Sequence, residues 1–133
     1  MDVRAGGPDD ITAVMTVFDS GGLEVPADRV ETALEADHVH VAVQEDRVLG
    51  AVLVDPECRA DAIEIEAIAV RPGRRGQGIG RLLVRSVAQR HGPLLAAFEE
   101  PARPFWAALG FEITPQPGDS RYLARSEGIR EPE

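Results

Sequence analysis

The sequence predicts a single mixed α/β domain over residues 1–126 with a tail at 127–133. Three features predict it. An Ile/Val-rich strand over Ile63 to Val70 enters an Arg/Gly-rich turn and an amphipathic helix, and a second apolar run, Leu94 to Phe98, follows. Two strands joined by a helical crossover are expected to be parallel. Ahead of them, Val39 to Gln44 and Val48 to Val54 are strand patterns separated only by Glu45-Asp46-Arg47, the signature of an antiparallel hairpin. Finally, 133 residues with 44% hydrophobic and 28% charged side chains suit one modest core.

Taken in order, residues 2 to 5 (DVRA) suit a short first strand. Gly7-Pro8-Asp9-Asp10 is a helix start, with proline at the first helical position and acids in the first turn. Ile11, Val14, Met15 and Phe18 recur at i, i+3, i+4 and i+7, so residues 8 to 19 form an amphipathic helix that Gly21-Gly22 ends. A second helix runs from Pro26 to about Ala36 with Val30, Ala33 and Leu34 inward. The hairpin comes next, then a turn over Pro56 to Asp61 and the strand to Val70. The long helix begins near Gly78 and runs to about Arg90, with Ile79, Leu82, Leu83 and Val87 on one face, and Gly92-Pro93 stops it. Leu94 to Phe98 is a strand, Pro101 to Leu109 a short helix, and Phe111 to Thr114 and Arg121 to Ala124 the last strands.

The turn before the long helix is chemically distinct. From Arg71 to Arg90 there are six arginines (71, 74, 75, 81, 85 and 90) and no acid, in a chain of 14 basic and 23 acidic residues with net charge −9. Removing this window's +6 leaves −15 on the rest. Helical arginines without glutamate partners four residues away lack pairing support, so an anionic ligand is the expected reason for the cluster. A helix N-terminus already presents unpaired N–H groups and the positive end of a dipole. Gly76, Gly78 and Gly80 would let a phosphate approach the main chain. The spacing excludes two familiar phosphate loops. A P-loop needs a lysine, and the chain has none; a dinucleotide fingerprint would need glycine at 81, which is arginine.

Arg75-Gly76-Gln77-Gly78-Ile79-Gly80 does fit the R/Q-x-x-G-x-G/A signature, and here the chain resembles the GCN5-related N-acetyltransferase (GNAT) superfamily. Phe105-Trp106-Ala107-Ala108-Leu109-Gly110-Phe111 is similar to that family's FYxxLGF element, and the element order over residues 1 to about 126 also matches. The resemblance implies a mostly antiparallel sheet of about six or seven strands, a parallel pair at the coenzyme site, and about four helices on both faces. It implies acetyl-CoA as co-substrate, with its pyrophosphate on Arg75, Gly76, Gln77, Gly78, Ile79, Gly80 and Arg81. Backbone N–H groups of Ile68, Ala69 and Val70 would polarise the thioester carbonyl and pair with the pantetheine amides. No metal is implied.

An amine must lose a proton to attack. Glu64 and Glu66 are the candidate bases, two apart and so on one strand face, where mutual repulsion would raise one of their pKa values. Glu64 lies where glutamate bases of the family commonly stand; the alternatives are Glu66 or no protein base. The family's usual leaving-group acid, a tyrosine, aligns with Trp106, and an indole cannot serve. A thiol of pKa near ~8.5 can leave as thiolate without an acid, or Tyr122, the only tyrosine, could supply the proton. Trp106 would then pack beside the coenzyme arm or in the core.

In the family, residues 24–35 lie over the acceptor pocket. They bring Glu24, Asp28, Glu31 and Glu35, either a solvated helix face or a negative rim that attracts an amine. The expected activity is direct acetyl transfer to a primary amine of a small molecule or peptide; the alternative is a catalytically silent acyl-CoA-binding module. The acidic balance argues against nucleic acid as partner. No apolar run reaches the ~20 residues of a membrane span, and MDVRAGGPDD is not a signal segment, so a cytoplasmic enzyme is expected. A homodimer is compatible with the resemblance. Lone Cys58 excludes an internal disulfide and reads as a bystander, and His38, His40 and His91 lack metal-ligand spacing.

Overall fold

The computed structural model describes residues 1–56, 62–116, 118 and 120–126. Cys58, most of the expected turn at 56–61, parts of the 115–119 loop and the expected tail at 127–133 lie outside them. The strands are β1 (Asp2–Ala5), β2 (Val39–Gln44), β3 (Arg47–Asp55), β4 (Ile63–Val70), β5 (Leu94–Phe98), β6 (Glu112–Pro115) and β7 (Tyr122–Arg125). The helices are α1 (Ile11–Ser20), α2 (Ala27–Glu35), α3 (Ile79–His91) and α4 (Arg103–Ala108). Pro8–Asp10, Pro72–Arg74 and Glu100–Ala102 are 3-10 turns that lead into other elements. The seven strands form a mixed sheet in the order β1-β2-β3-β4-β5-β7-β6.

The chain divides into two compact units. Met1–Val54 with Ala67–Val87 is the first. Here β1 pairs antiparallel with β2, and β2 with β3. The Arg4 guanidinium bonds the Asp10 carboxylate at 2.8 Å and Gly7 N–H donates to the same oxygen at 2.8 Å, so the entry to α1 is fastened to β1. Val14, Val17 and Phe18 of α1 and Val30, Ala33 and Leu34 of α2 pack on Val39, Val41, Ala51, Leu53, Ala67 and Ala69. These strand residues alternate, as one face of a pleated sheet must. The opposite face meets α3: a Cβ placed on Gly50 would lie 3.1 Å from both Ile79 and Leu83 side chains and 3.2 Å from the Ala69 carbonyl. Glycine in mid-strand is therefore what lets the first turn of α3 settle on β3.

The hairpin is tighter than expected. Gln44 pairs with Arg47, so Arg47 already belongs to β3 and the turn is Glu45-Asp46 alone, with φ of 54° and 65°. Two successive left-handed residues match the twist of a two-residue hairpin, though neither is the glycine or asparagine that adopts it most easily. The register then shifts: Val43 faces Val48 and Ala42 faces Gly50, which leaves Leu49 as the extra residue of a bulge.

The second unit is Asp55–Glu66 with Ala88–Glu133. The start of β4 pairs parallel with β5, Ile63 to Ile65 against Leu94 to Ala96. β5 then pairs with β7, and β7 with β6, both antiparallel. The last strand to be made thus lies inside the one before it. Ser126 explains part of this: its N–H donates to Leu94 O at 3.0 Å and its Oγ accepts Leu94 N–H at 2.9 Å. The helical stripe expected to include Leu82 is also rotated. Ile79, Leu83, Val84, Val87 and Ala88 are buried and Leu82 is 37% exposed. At about 100° per residue those five share one arc and Leu82 falls outside it.

Candidate functional site

The site is built on the end of β4. Ile65, Ala67 and Ala69 are buried, which turns Glu64, Glu66, Ile68 and Val70 to the other face of the strand. Glu64 and Ile68 are partly buried there and Glu66 is exposed. Glu64 and Glu66 thus share a face, as the spacing predicts. The side chain of Ala69 belongs to the core, so only its main chain is available to a ligand.

Beyond Val70 the strand continues by one bond, Arg71 N–H to Leu49 O at 2.8 Å. The chain then makes the 3-10 turn and passes Gly76 (φ +78°) and Gly78 (φ +86°) before α3 begins. A Cβ added to either glycine meets nothing within 4 Å. Their requirement is therefore the left-handed backbone, with the space over the turn left clear. Left-handed residues alternating with others turn successive N–H groups to one side, a concavity suited to anions. Gly78 O accepts Leu82 N–H at 3.0 Å and opens the helix. The N–H groups of Ile79, Gly80 and Arg81 then have no acceptor within α3, at the positive end of its dipole. This donor set fits a diphosphate.

The arginines divide into two groups. Arg71 Nε donates to Val48 O at 2.7 Å. Arg74 Nη2 donates to Gln44 Oε1 at 2.6 Å and its Nε to Gln77 Oε1 at 3.0 Å. Arg75 Nε donates to Val70 O at 3.0 Å and its Nη2 to Ser20 O at 3.4 Å. All these acceptors are neutral, so the three side chains shape the turn and keep their charge. Arg81, Arg85 and Arg90 are exposed along α3. Beside any ligand, Arg71, Arg74 and Arg75 thus also hold their own chain.

The Phe105 to Phe111 element lies in the second unit. Trp106 is 3% exposed, with ring centroids 5.0 Å from Phe105, 5.1 Å from Phe111 and 6.2 Å from Phe98. The indole is packed among these rings, with almost none of its surface exposed. Tyr122 stacks on Phe98 at 5.6 Å, with the Arg103 guanidinium 4.8 Å from its ring centre. A hydrogen bond to Glu100, then that carboxylate's charge and some burial, push the phenol above its ordinary value; Arg103 opposes them. Glu24, Asp28, Glu31 and Glu35 are all exposed. Among the described residues no cluster could hold a metal ion.

Sequence reasoning missed Gln44, Gly50, Ser20 and the bulge at Leu49. Only Gly50 carried a signal, an isolated glycine inside a strand pattern, which marks a bulge or a close backbone approach.

The sequence profile of the acetyltransferase (GNAT) domain matches residues 35–113, more than half of the chain. No curated protein sequence matches significantly. Among solved structures, an acetyltransferase of the GNAT family from Bacillus cereus superposes with TM-score 0.82 at 15% identity, covering 97% of this chain and 98% of that one. The ribosomal-protein-S18-alanine N-acetyltransferase from Escherichia coli gives 0.73 at 13%, covering 93% and 90%. N-acetylglutamate synthase from Neisseria gonorrhoeae, complexed with coenzyme A and N-acetyl-glutamate, gives 0.79 at 17%, over 97% of this chain and 35% of that one. At these identities the likeness is one of fold. Within the described residues no helix is long and apolar enough to cross a membrane.

Proposed function

Since the chain belongs to the GNAT family of acetyltransferases, we propose that it transfers the acetyl group of acetyl-CoA directly to a primary amine of a small molecule or peptide. The observation that carries this is the turn with left-handed Gly76 and Gly78 at the open N-terminus of α3. Acetyl-CoA would supply the activated acyl group. Main-chain N–H groups from Gly76 to Arg81 would hold its diphosphate, with the charges of Arg74, Arg75 and Arg81 in support. Main-chain N–H groups of Ile68, Ala69 and Val70 would take the charge that develops on the carbonyl oxygen.

Glu64 would accept the proton of the attacking amine, directly or through water, with Glu66 as the other candidate on the same face. The sulfur would leave as thiolate, because the indole of Trp106, where the family resemblance puts a tyrosine, cannot serve as its acid. Residues 1–126 act as one domain in this reading, in the cytoplasm, as monomer or homodimer. Neighbours of this fold act on acceptors as unlike as a ribosomal protein's alanine and a free amino acid, so the acceptor is a question for a screen.

Release of free thiol from acetyl-CoA, scanned across amino acids, polyamines, peptide N-termini and lysine side chains beside Glu64→Gln, tests the proposal. Turnover with one class, reduced at least tenfold in the variant, is expected; no turnover with any class counts against transfer. The second reading, a coenzyme-binding module without catalysis, draws on the burial of Trp106 where the family resemblance puts a tyrosine. It requires coenzyme A binding by calorimetry together with silence in that screen.

A further inference from the structure

Gln77 stands between two glycines in left-handed conformation, Gly76 and Gly78, which gives the tip of the turn a permissive hinge on each side. An unrestrained tip would have to be ordered each time a ligand bound, at a cost in affinity. One side chain opposes this. The Gln77 side-chain oxygen Oε1 accepts from Arg74 Nε, and the same planar guanidinium donates through Nη2 to Gln44 Oε1 at 2.6 Å. The guanidinium holds its donors in a fixed fork, so anchoring one edge orients the other. Gln44 is itself anchored. It ends β2 opposite Arg47, beside the two-residue turn, and the bulge that follows presents Val48 O and Leu49 O to Arg71 at the root of the same loop. The hairpin therefore grips the loop at its base and near its tip.

We infer that Gln44 is a positioning residue for coenzyme binding, acting through Arg74 on Gln77 and so on the diphosphate-binding turn. This rests on the reading that the turn binds coenzyme A. A neutral amide suits the task better than a carboxylate would: it fixes the guanidinium without cancelling the charge that an anion would feel.

Calorimetry with coenzyme A itself needs no knowledge of the acceptor. Gln44→Met keeps the side-chain length and removes the acceptor oxygen; it should weaken binding about threefold to tenfold, the scale of one lost hydrogen bond. Arg74→Met should weaken it more, losing charge as well. The Gln44→Met/Arg74→Met pair should be no worse than Arg74→Met alone, because among the described residues Gln44 reaches the turn through Arg74. Gln44→Ser, too short to reach Arg74, stands in if the methionine variant fails to fold. Wild-type protein that does not bind coenzyme A removes the functional reading itself. Wild-type binding with an unchanged Kd in the Gln44 variant, or additive losses in the pair, overturns this inference alone.

Discussion

The turn between β4 and α3 and the segment from Phe98 to Phe111 meet opposite demands. In the turn the groups offered to a ligand are main-chain N–H donors, glycines face open space, and three arginines bond to neutral acceptors of their own chain. In the aromatic segment the functional group that the family resemblance calls for is a side chain, and the position has gone to packing: Trp106 is 3% exposed among three phenylalanines. Main-chain chemistry survives almost any change of side chain that preserves the dihedral angles. Proton donation does not survive the exchange of one phenol for an indole. The proposed anion binding and the acid catalysis that the family resemblance implies therefore stand on unequal footing in this chain.

The contrast can be broken, and the largest effect is expected in the aromatic segment. Trp106→Ala should cost about 3–5 kcal/mol of stability by denaturant unfolding, as for other buried aromatic truncations. Coenzyme A affinity, measured where the variant is still folded, should stay within about twofold. Loss of binding there would give the indole a ligand-facing role and remove the division between the two regions. Gly78→Glu should lower coenzyme A affinity by about 100-fold in calorimetry, through a strained left-handed glutamate and a carboxylate at an anion site. Retention of wild-type affinity would move the ligand off the turn.

A smaller effect concerns Tyr122. Its folded-state value is raised, so the contribution of the Glu100 interaction is present at pH below the phenol's unfolded value of about 10 and is lost as pH rises through the folded value. Absorbance titration of Glu100→Ala should show the phenol ionising at lower pH than in wild type. Tyr122→Phe should leave kcat within about twofold, and a large fall would restore the tyrosine as acid. The smallest change belongs to the hairpin behind the turn: Asp46→Gly relieves one left-handed residue and should add about 0.5 kcal/mol in thermal unfolding.

Periodicity made most of the fold legible, since burial of one strand face or one helix arc leaves its own spacing. It failed where two partners compete. Nothing local distinguishes β6 from β7 as the neighbour of β5; the Ser126 contacts to Leu94 connect residues far apart in the chain. Leu82 looked inward because a single heptad cannot set the phase of a helix, whereas Val84 and Ala88 fix it in the structure. For the site, glycines announced the turn because positive φ selects them. Gln44 and Ser20 announced nothing: one contributes a single oxygen and the other only a carbonyl, across long sequence separations.

Gly50 works as a depth gauge. Adding one methyl there would put it 3.1 Å from Ile79 and Leu83, so the head of α3 would have to ride up by a few tenths of an ångström. Whatever rests on that head is thereby kept at a set height over the last residues of β4, where the acetyl carbonyl would have to arrive. In the proposed reading, the reach of a long flexible coenzyme would be set by an absent carbon on a strand that it need never touch.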